Sequence, residues 1–335
     1  MRNETRALFN QYADRQAELN NVPDATTKFT VLPSVQQTLE SKIQESSDFL
    51  KLINIVPVDD LKGEKLGLGV SGTVASRTDT SGAGERQTRD VATIDKNGYE
   101  CRKTDYDTHI RYATLDMWSK FKDFQPRVRD QVLKRCALDR IMIGFNGSSA
   151  AATTNRTNNP LLQDVNVGWL QGMRSDAAAQ VMDEGGQAGK IVVGNGGDYT
   201  NLDALVYDLS KTIIKPWYQE DPELVAIVGR DLMHDKLFPL VSNPEAPTEI
   251  LAAQIVRSQR RLGGLSAVVV PFFPPGAVLV TRLDNLSIYY QAGARRRAVI
   301  DNPKKDRVEH YESSNDAFVV EDYDGAALAE NVEVL

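Results

Sequence analysis

Two glycine-rich stretches are the places where this sequence could bind a phosphate group. Residues 67–72, GLGVSG, have the glycine spacing of a dinucleotide-binding turn, and residues 194–197, GNGG, precede a predicted helix. A phosphate site needs a helix directly after the glycines, because the N–H groups of its first turn bind the anion. Residues 73–84 lack a helical pattern, and the second stretch lacks the lysine of a phosphate-binding loop. We therefore predict a hairpin at the first stretch and a turn at the second.

The histidines, cysteines and acidic pairs form no recognisable catalytic or metal-binding pattern. No two of His109, His234, His310, Cys101 and Cys136 have the spacing of metal ligands, and neither cysteine lies in a nucleophile motif. Neighbouring carboxylates occur in polar surroundings at residues 59–60, 220–221 and 321–322. Such pairs can act as general acid and base, and the sequence leaves this alternative open. We assign no catalytic, cofactor-binding or metal-binding residue and predict that the protein is not an enzyme.

Basic residues cluster in the second half of the chain. The clusters are Arg257, Arg260 and Arg261; Arg295, Arg296 and Arg297; and Lys304, Lys305 and Arg307. Aromatic residues do not alternate with them, as they do in proteins that bind single-stranded nucleic acid. The formal net charge of −7 also argues against non-specific nucleic-acid binding over the whole surface. We expect these clusters to form salt bridges between subunits, with acidic runs as partners, and local contact with nucleic acid stays open as the alternative.

Composition indicates a folded protein without a membrane span. Hydrophobic residues make up 41% of the 335 residues and charged residues 25%, which is sufficient for a packed core. No window approaches the roughly 18 apolar residues of a membrane-spanning helix, and the N-terminus lacks the apolar segment of a signal peptide. The presence of only two cysteines fits a reducing cytosol.

The clearest structural element is a long amphipathic helix at residues 125–145. Apolar residues recur four positions apart in two rows, Val128, Val132 and Cys136, and Leu133, Ala137 and Ile141. This spacing is typical of a helix with a broad buried face. Pro126 suits the first helical position, and Gly144 and Gly147 favour the end of the helix. We predict a stiff helix whose apolar face contacts the C-terminal strands of the same subunit.

The residues before this helix are predicted to form two helices, a linker, a strand and a long hairpin. Residues 1–21 and 35–52 favour helices, whereas the polar residues 20–33 between them favour an exposed linker that proteases can reach. Residues 54–58 form a predicted strand. Residues 62–95 contain six glycines and few large apolar residues, which favours a two-stranded hairpin. Because an isolated hairpin is marginal in water, we expect it to lie on a neighbouring subunit.

Further elements follow the same rules of periodicity. Before and after the long helix we predict a strand at residues 100–112, a short helix at 115–121, and a second hairpin or flexible loop at 183–197. The later predicted helices are residues 202–214, with Asn201 as the N-cap, 230–241 and 249–262. The later predicted strands are residues 224–228, 267–270, 277–282, 286–290, 297–300, 308–312, 318–323 and 329–334. The alternation after residue 199 favours a compact α/β domain, followed by strands that return to the long helix.

Taken in order, these parts resemble the major capsid proteins of tailed bacteriophages with the HK97-like fold. The similarity to the P2-type capsid family lies in QESSDFL (44–50), INIVPV (53–58), LD (138–139), GFNG (144–147), NPLLQDV (159–165), PWYQEDPEL (216–224), NLSIYY (285–290) and VVEDY (319–323). The resemblance implies an α+β fold with five parts. These are an N-terminal arm (1–53), an E-loop hairpin with its base (54–98), a P domain with a spine helix at 125–145 (99–198), an A domain (199–292) and C-terminal strands returning to the P domain (293–335).

The same resemblance implies a structural protein that assembles into hexamers and pentamers of an icosahedral head around double-stranded DNA. It further implies a scaffolding protein, a prohead protease and a portal as partners, non-specific contact with packaged DNA, and a location in the virion after assembly in the host cytoplasm. Loss of an N-terminal segment is also implied, and we expect the cut between Val22 and Pro33. Two alternatives stay open: an encapsulin-type compartment, against which the P2-type runs argue, and a soluble nucleotide-dependent enzyme.

Overall fold

A computed structural model describes residues 1–64, 75–81, 85–86, 88, 98–121, 123–233 and 261–335. The predicted hairpin of residues 62–95 lies mostly outside the described residues, as do the GLGVSG stretch and most of the two predicted helices at 230–241 and 249–262. The described base of the hairpin is an antiparallel pair between Lys62–Glu64 and Gly98–Glu100.

The described helices agree with the strongest periodic patterns. They include α1 (Asn3–Leu19), α2 (Pro33–Glu45), α3 (Tyr112–Trp118), α4 (Phe124–Asn146), α5 (Trp169–Asp176) and α6 (Leu202–Asp208). The predicted helices at residues 1–21 and 125–145 are confirmed as α1 and α4. Asn201 is the predicted N-cap of α6, and its side chain accepts a hydrogen bond from the backbone N–H of Ala204 at 2.8 Å. Among the described residues, no helix combines the length and apolar character needed to cross a bilayer.

Two sheets contain most of the described strands. The strands are β1 (Phe29–Thr30), β2 (Asn54–Val58), β3 (Lys62–Glu64), β4 (Gly98–Glu100), β5 (Arg102–Asp105), β6 (Thr108–Arg111), β7 (Val181–Met182), β8 (Ile191–Val193), β9 (Leu224–Val228), β10 (Arg261–Leu262), β11 (Leu265–Val268), β12 (Val278–Arg282), β13 (Leu286–Gln291), β14 (Arg296–Asn302), β15 (Arg307–Val320), β16 (Ala327–Ala329) and β17 (Val332–Val334). The first sheet has the order β1-β14-β15-β13-β2, with β5 and β6 also paired to β15, and the second has the order β10-β11-β9-β12-β16-β7. Each sheet contains strands from before and after residue 292, the predicted end of the A domain. The division of the chain into five parts stays a prediction.

Several predicted elements differ from the observed ones for local reasons. The second helix was expected to reach residue 52 but ends at Glu45, because the Gln44 side chain bonds to the carbonyls of Leu50 and Ile53 and turns the chain. The strand predicted at residues 100–112 is divided among β4, β5 and β6, and its last residue begins α3. Leu262, expected in a helix, lies in β10 and pairs with Leu265 across a two-glycine turn.

The longest strand, β15, was predicted as two separate strands at residues 308–312 and 318–323. Its central residues Ser313, Ser314 and Asp316 are polar yet buried, so the sequence lacks the apolar pattern of a continuous core strand. A second hairpin or flexible loop was expected at residues 183–197. The structure shows one antiparallel bridge there, between Gln187 and Lys190, whereas β8 pairs in parallel with the C-terminal strand β17.

The main core is centred on Trp169, which is fully buried at the start of α5. Its ring makes edge contacts with Phe145 of α4 and Phe318 of β15, at centroid distances of 5.1 and 5.5 Å. Its Nε1 donates a hydrogen bond to the carbonyl of Ser287 in β13 at 2.9 Å. The Trp169 side chain on α5 therefore connects the long helix α4 to the first sheet.

We predict that Gly144→Ala destabilises the subunit by about 1–3 kcal/mol, because small-to-large changes in a packed core force neighbouring groups to move. A Cβ at Gly144 would lie 2.2 Å from Cζ3 of Trp169. The free energy of unfolding in urea measures the effect.

The matched control is Gly172→Ala in α5. Its nearest neighbour would be the Tyr323 hydroxyl at 3.4 Å, an ordinary contact. Alanine at this helical position should raise the free energy of unfolding by about 0.5–1 kcal/mol. Equal effects of the two substitutions would contradict the role given to Gly144.

Candidate functional site: a buried ion network at the N-terminal arm

The glycine-rich turn at residues 194–197 uses its N–H groups within the chain. Gly194 N–H donates to the carbonyl of Tyr199 at 2.8 Å, and Gly197 N–H donates to the carbonyl of Gly194 at 3.1 Å. Gly194 and Gly196 have φ values of +143° and +84°, and Gly194 lies against the side chain of Leu335. The predicted turn is confirmed, and these two N–H groups already have partners where a phosphate would need them.

The cysteine and histidine side chains have shifted pKa values that suit structural positions. Burial raises the pKa of the Cys101 and Cys136 thiols to about 12, so both are protonated at neutral pH and are poor nucleophiles. Burial and the nearby Arg297 lower the pKa of His310 to about 4, and its ring contacts Tyr12 of α1. His109 is exposed on β6. In the part of the chain that the structure describes, no three His, Cys, Asp or Glu side chains form a potential metal site.

The basic clusters were expected to form salt bridges between subunits, and three of their arginines have acidic partners within the chain. Arg295 and Arg297 pair with Glu312, and Arg307 pairs with Glu309, all within one chain. Spacing along the sequence could not show the pairs of Arg295 and Arg297, because Glu312 lies on the neighbouring strand β15, whereas Glu309 lies only two residues from Arg307 on the same strand. Arg296, Lys304 and Lys305 remain exposed, whereas Arg257 and Arg260 lie outside the described residues.

The acidic pairs at residues 220–221 and 321–322 likewise have partners inside the subunit. Asp221 accepts a hydrogen bond from Arg282 at 3.0 Å, and Glu220 pairs with Lys211. Glu321 accepts from the Tyr289 hydroxyl at 2.9 Å, and Asp322 accepts from the Tyr218 hydroxyl at 2.6 Å. These contacts give the carboxylates structural roles at the edges of the sheets.

The most unusual feature of the subunit is a set of buried charges, the ion network. It consists of Glu40 on α2, Arg140 on α4, Arg295 before β14, Arg297 on β14, and Glu312 and Asp316 on β15. Glu40, Arg140, Arg295 and Asp316 are each at most 2% exposed. The three arginines and three carboxylates balance in charge, which is the condition for keeping charged groups out of water.

The geometry of the ion network joins three elements that are distant in sequence. Arg140 donates to Glu40, with Nη2 3.1 Å from Oε1, and its Nη2 lies 3.4 Å from Asp316 Oδ2. Arg295 bridges from the other side to Glu40 and Glu312. Burial tends to raise the pKa of Glu312, but the charges of Arg295 and Arg297 outweigh it and hold the pKa at about 2. The Glu312 carboxylate therefore stays ionised at any physiological pH.

Hydrogen bonds complete the surroundings of Asp316. The Tyr106 hydroxyl donates to its Oδ2 at 3.0 Å, and the Ser314 hydroxyl donates to its Oδ1 at 2.5 Å. The side-chain amide of Asn166 donates to its backbone carbonyl at 2.8 Å. Sequence analysis assigned no role to any of these residues, and the only available signal was a polar interruption between the two predicted strands at 308–312 and 318–323.

Residues 20–33, expected to be an exposed linker, are largely anchored to the first sheet. Ala25, Phe29 and Val31 are at most 8% exposed. Val31 N–H donates to the carbonyl of Arg295 at 2.9 Å, and Val299 N–H donates to the carbonyl of Ala25 at 3.0 Å. The expectation of exposure holds for most residues of this stretch but was wrong for these apolar ones, which are separated by polar residues without helical or strand periodicity.

A few large apolar side chains stay exposed on the single subunit. Met117, Tyr207 and Trp217 are 59%, 57% and 46% exposed, respectively. Scattered exposed apolar residues are normal on proteins, but large aromatic ones are also enriched in subunit contacts.

The long helix, the two sheets, the N-terminal arm and the antiparallel pair of β3 and β4 agree with the HK97-like fold of phage capsid subunits. The capsid of an empty GTA particle overlaps 86% of this chain with a TM-score of 0.50, at 14% identity and with 90% of that chain covered, which shows the fold alone.

Closer comparisons define the family. The profile of the P2 family of phage major capsid proteins matches residues 8–332. The capsid protein of Escherichia phage P2 is 53% identical over 342 aligned residues, covering 100% of this chain and 96% of that protein. The major capsid protein of Serratia phage KSP20 is 40% identical, covering 99% of this chain and 97% of that protein. In the structure of the satellite phage P4 procapsid including size determination (Sid) protein, a chain 50% identical overlaps 100% of this chain, and 99% of its own length, with a TM-score of 0.83.

The chain belongs to the P2 family of phage major capsid proteins. It is a phage major capsid protein and therefore a component of the virion.

We predict that Arg140→Met destabilises the subunit by about 3–5 kcal/mol, because removing one member of a buried ion pair leaves the others uncompensated. Glu40 and Asp316 would then lose a partner at sites with almost no access to water. Urea unfolding of the purified chain measures the loss.

Arg129→Met on the same helix is the control. Arg129 pairs with Asp130 at 2.8 Å, and the two side chains are 52% and 63% exposed. Exposed pairs contribute at most about 1 kcal/mol, so this variant should unfold close to the parent. Similar losses in both variants would show that the ion network has no special energetic weight.

Proposed function

We propose that this chain self-assembles into hexamers and pentamers that close an icosahedral head around packaged double-stranded DNA, and that it acts without an active site. The observation that carries the proposal is the 53% identity to the capsid protein of Escherichia phage P2 over the whole of this chain. The overlap with a P4 procapsid subunit at a TM-score of 0.83 supports it from the structural side.

The described architecture suits a repeated building block. The 23-residue α4 is joined to the first sheet by Trp169 and to α2 by the ion network, which makes the subunit stiff. A stiff subunit fixes the angle at which its neighbours pack against it. Subunits of obligate assemblies bury roughly 2,000 Å² or more at their interfaces. Met117, Tyr207 and Trp217 are candidates for such contacts because they are exposed and large.

The division of the chain into five parts belongs to the same proposal. The arm is residues 1–53, the E-loop hairpin and base 54–98, the P domain 99–198, the A domain 199–292, and the returning strands 293–335. The antiparallel base of β3 and β4 supports a hairpin that extends from this point toward a neighbouring subunit.

The proposal includes partners during assembly. They are a scaffolding protein, a prohead protease and a portal, with assembly in the host cytoplasm before the virion is complete. The net charge of −7 limits contact with packaged DNA to local, non-specific sites, for which exposed Arg296, Lys304 and Lys305 are suited.

Full-length identity to two phage capsid proteins favours a phage head over an encapsulin-type compartment. The nucleotide-dependent enzyme has no such support. A thermal-shift screen with nucleotides tests it, since a ligand at 100 times its Kd raises stability by about 2.7 kcal/mol.

We expect expression of the full chain with its scaffolding protein to give closed icosahedral shells in electron microscopy. Fivefold and sixfold clusters of subunits should both be visible in reconstructions. Circular dichroism of the unassembled chain is the control for folding. A folded chain that stays monomeric with scaffold present would contradict the proposal, and shells loaded with a host enzyme would favour the compartment.

We further expect a prohead protease to cut the chain between Val22 and Pro33. Mass spectrometry of mature particles should then show an N-terminus within this interval, whereas the freshly expressed chain begins at Met1. An intact Met1 end in mature particles would contradict the cut.

A further inference from the structure

The N-terminal segment, defined as residues 1–32, packs largely as a unit of its own. Ala17, Ala25, Phe29 and Val31 form a separate apolar cluster within the segment. On α1, Phe9 packs against α3 and strands β14 and β15, again outside the main core around Trp169. Contacts between the segment and the rest of the chain are therefore concentrated on one surface of the first sheet.

The described polar contacts of the N-terminal segment with the rest of the chain are single hydrogen bonds and one partly exposed ion pair, with no buried charge pair among them. They include the bonds of Val31 and Ala25 to the first sheet and a bond from the Arg297 side chain to Gln16 at 3.2 Å. β1 contributes only two residues to the sheet. Arg6 pairs with Asp301 at 2.9 Å, with side chains 48% and 22% exposed, and the backbone N–H of Arg2 donates to Asp116 at 2.9 Å. Regions held by few buried contacts open at lower free energy than the core.

Beyond residue 32 the chain is held much more firmly. The Gln36 side chain donates to the carbonyl of Gln291 at 3.0 Å and accepts from Gly293 N–H at 2.8 Å. Glu40 belongs to the buried ion network, and Ile43 is fully buried in the main core. Removing α2 would expose uncompensated charges, which makes its release far less favourable than that of the N-terminal segment.

The junction between the two regions allows them to separate. Leu32 is extended, with φ −59° and ψ 139°, and Pro33 is the first residue of α2. Proline fixes its own φ and disfavours a helical residue before it, so α2 begins at this point whatever the preceding chain does. The first hydrogen bond of α2, from Gln36 N–H, ends on the Leu32 carbonyl. That carbonyl lies in the planar peptide group joined to Pro33, so rotation at the backbone dihedrals of Leu32 can move the preceding residues while the bond is kept.

We propose that residues 1–32 open from the subunit as one cooperative unit that hinges at Leu32–Pro33 while α2 remains docked. In the closed state Ala25, Phe29 and Val31 are buried on the sheet, so the exposed residues between them cannot leave it as the extended chain that a protease needs. Opening is then the step that controls access to the cut. This last consequence rests on the proposed processing, whereas the opening itself is a property of the subunit.

Limited trypsin digestion of the purified full-length chain tests the opening. Lys28 lies in the packed part of the N-terminal segment, and Lys42 lies on α2; both side chains are exposed. Phe9→Ala removes a ring that is 7% exposed in the docking surface. It should speed cleavage at Lys28 roughly 10- to 100-fold through a larger open population, with Lys42 unchanged.

Leu19→Ala is the matched control on α1, since Leu19 is 41% exposed, and cleavage at Lys28 should change by less than about twofold. If Phe9→Ala speeds cleavage at Lys28 and Lys42 together, or does not speed cleavage at Lys28, the proposal is overturned.

A measurement on the parent chain keeps the test independent of variants. Cleavage at Lys28 should rise with urea along a shallower slope than cleavage at Lys42, because opening 32 residues exposes less surface than unfolding the subunit. Equal slopes would overturn the opening. The N-terminus found in mature particles tests only the proposed cut between Val22 and Pro33. The opening of residues 1–32 can therefore fail while the cut holds, and the reverse is also true.

Discussion

The arrangement of this subunit depends on six charged side chains that cannot stay buried unless they meet one another. Glu40, Arg140, Arg295 and Asp316 have almost no contact with water. Charges in such a site are stable only when each has a partner, and a missing partner costs far more than a complete set contributes. Because the partners come from α2, α4 and the first sheet, those elements can assemble in one relative position only.

A second constraint, apolar and steric, acts where the long helix ends. Gly144 allows the ring of Trp169 to lie against the backbone of α4, and Trp169 in turn bonds to the sheet through Ser287. The ion network fixes the arm-facing side of the helix and the tryptophan fixes its C-terminal end. A helix held at two places along its length behaves as a rigid strut, which is what a subunit needs to present reproducible surfaces to many identical neighbours.

Sequence periodicity was sufficient for elements with one apolar and one polar side. It predicted α1 and α4 closely, because each has a regular apolar pattern, whereas β9 was predicted at its observed bounds from a continuous apolar run. It failed at β15, whose buried centre is polar, and at residues 20–33, whose buried residues have no period. In both cases the stabilising partner is far away in sequence, so the local composition does not show that these residues are buried.

The same limit explains why the ion network could not be predicted and what it means for the arm. Arg295 appeared in the sequence only as part of a basic cluster, yet its guanidinium holds Glu40 while its backbone carbonyl holds Val31. These two contacts differ in strength, since one is a buried charge pair and the other a single hydrogen bond at the edge of a sheet. The boundary between the firmly and the loosely attached parts of the arm thus falls between Val31 and Glu40, and Pro33 supplies the only position there at which the chain can separate without unwinding a helix.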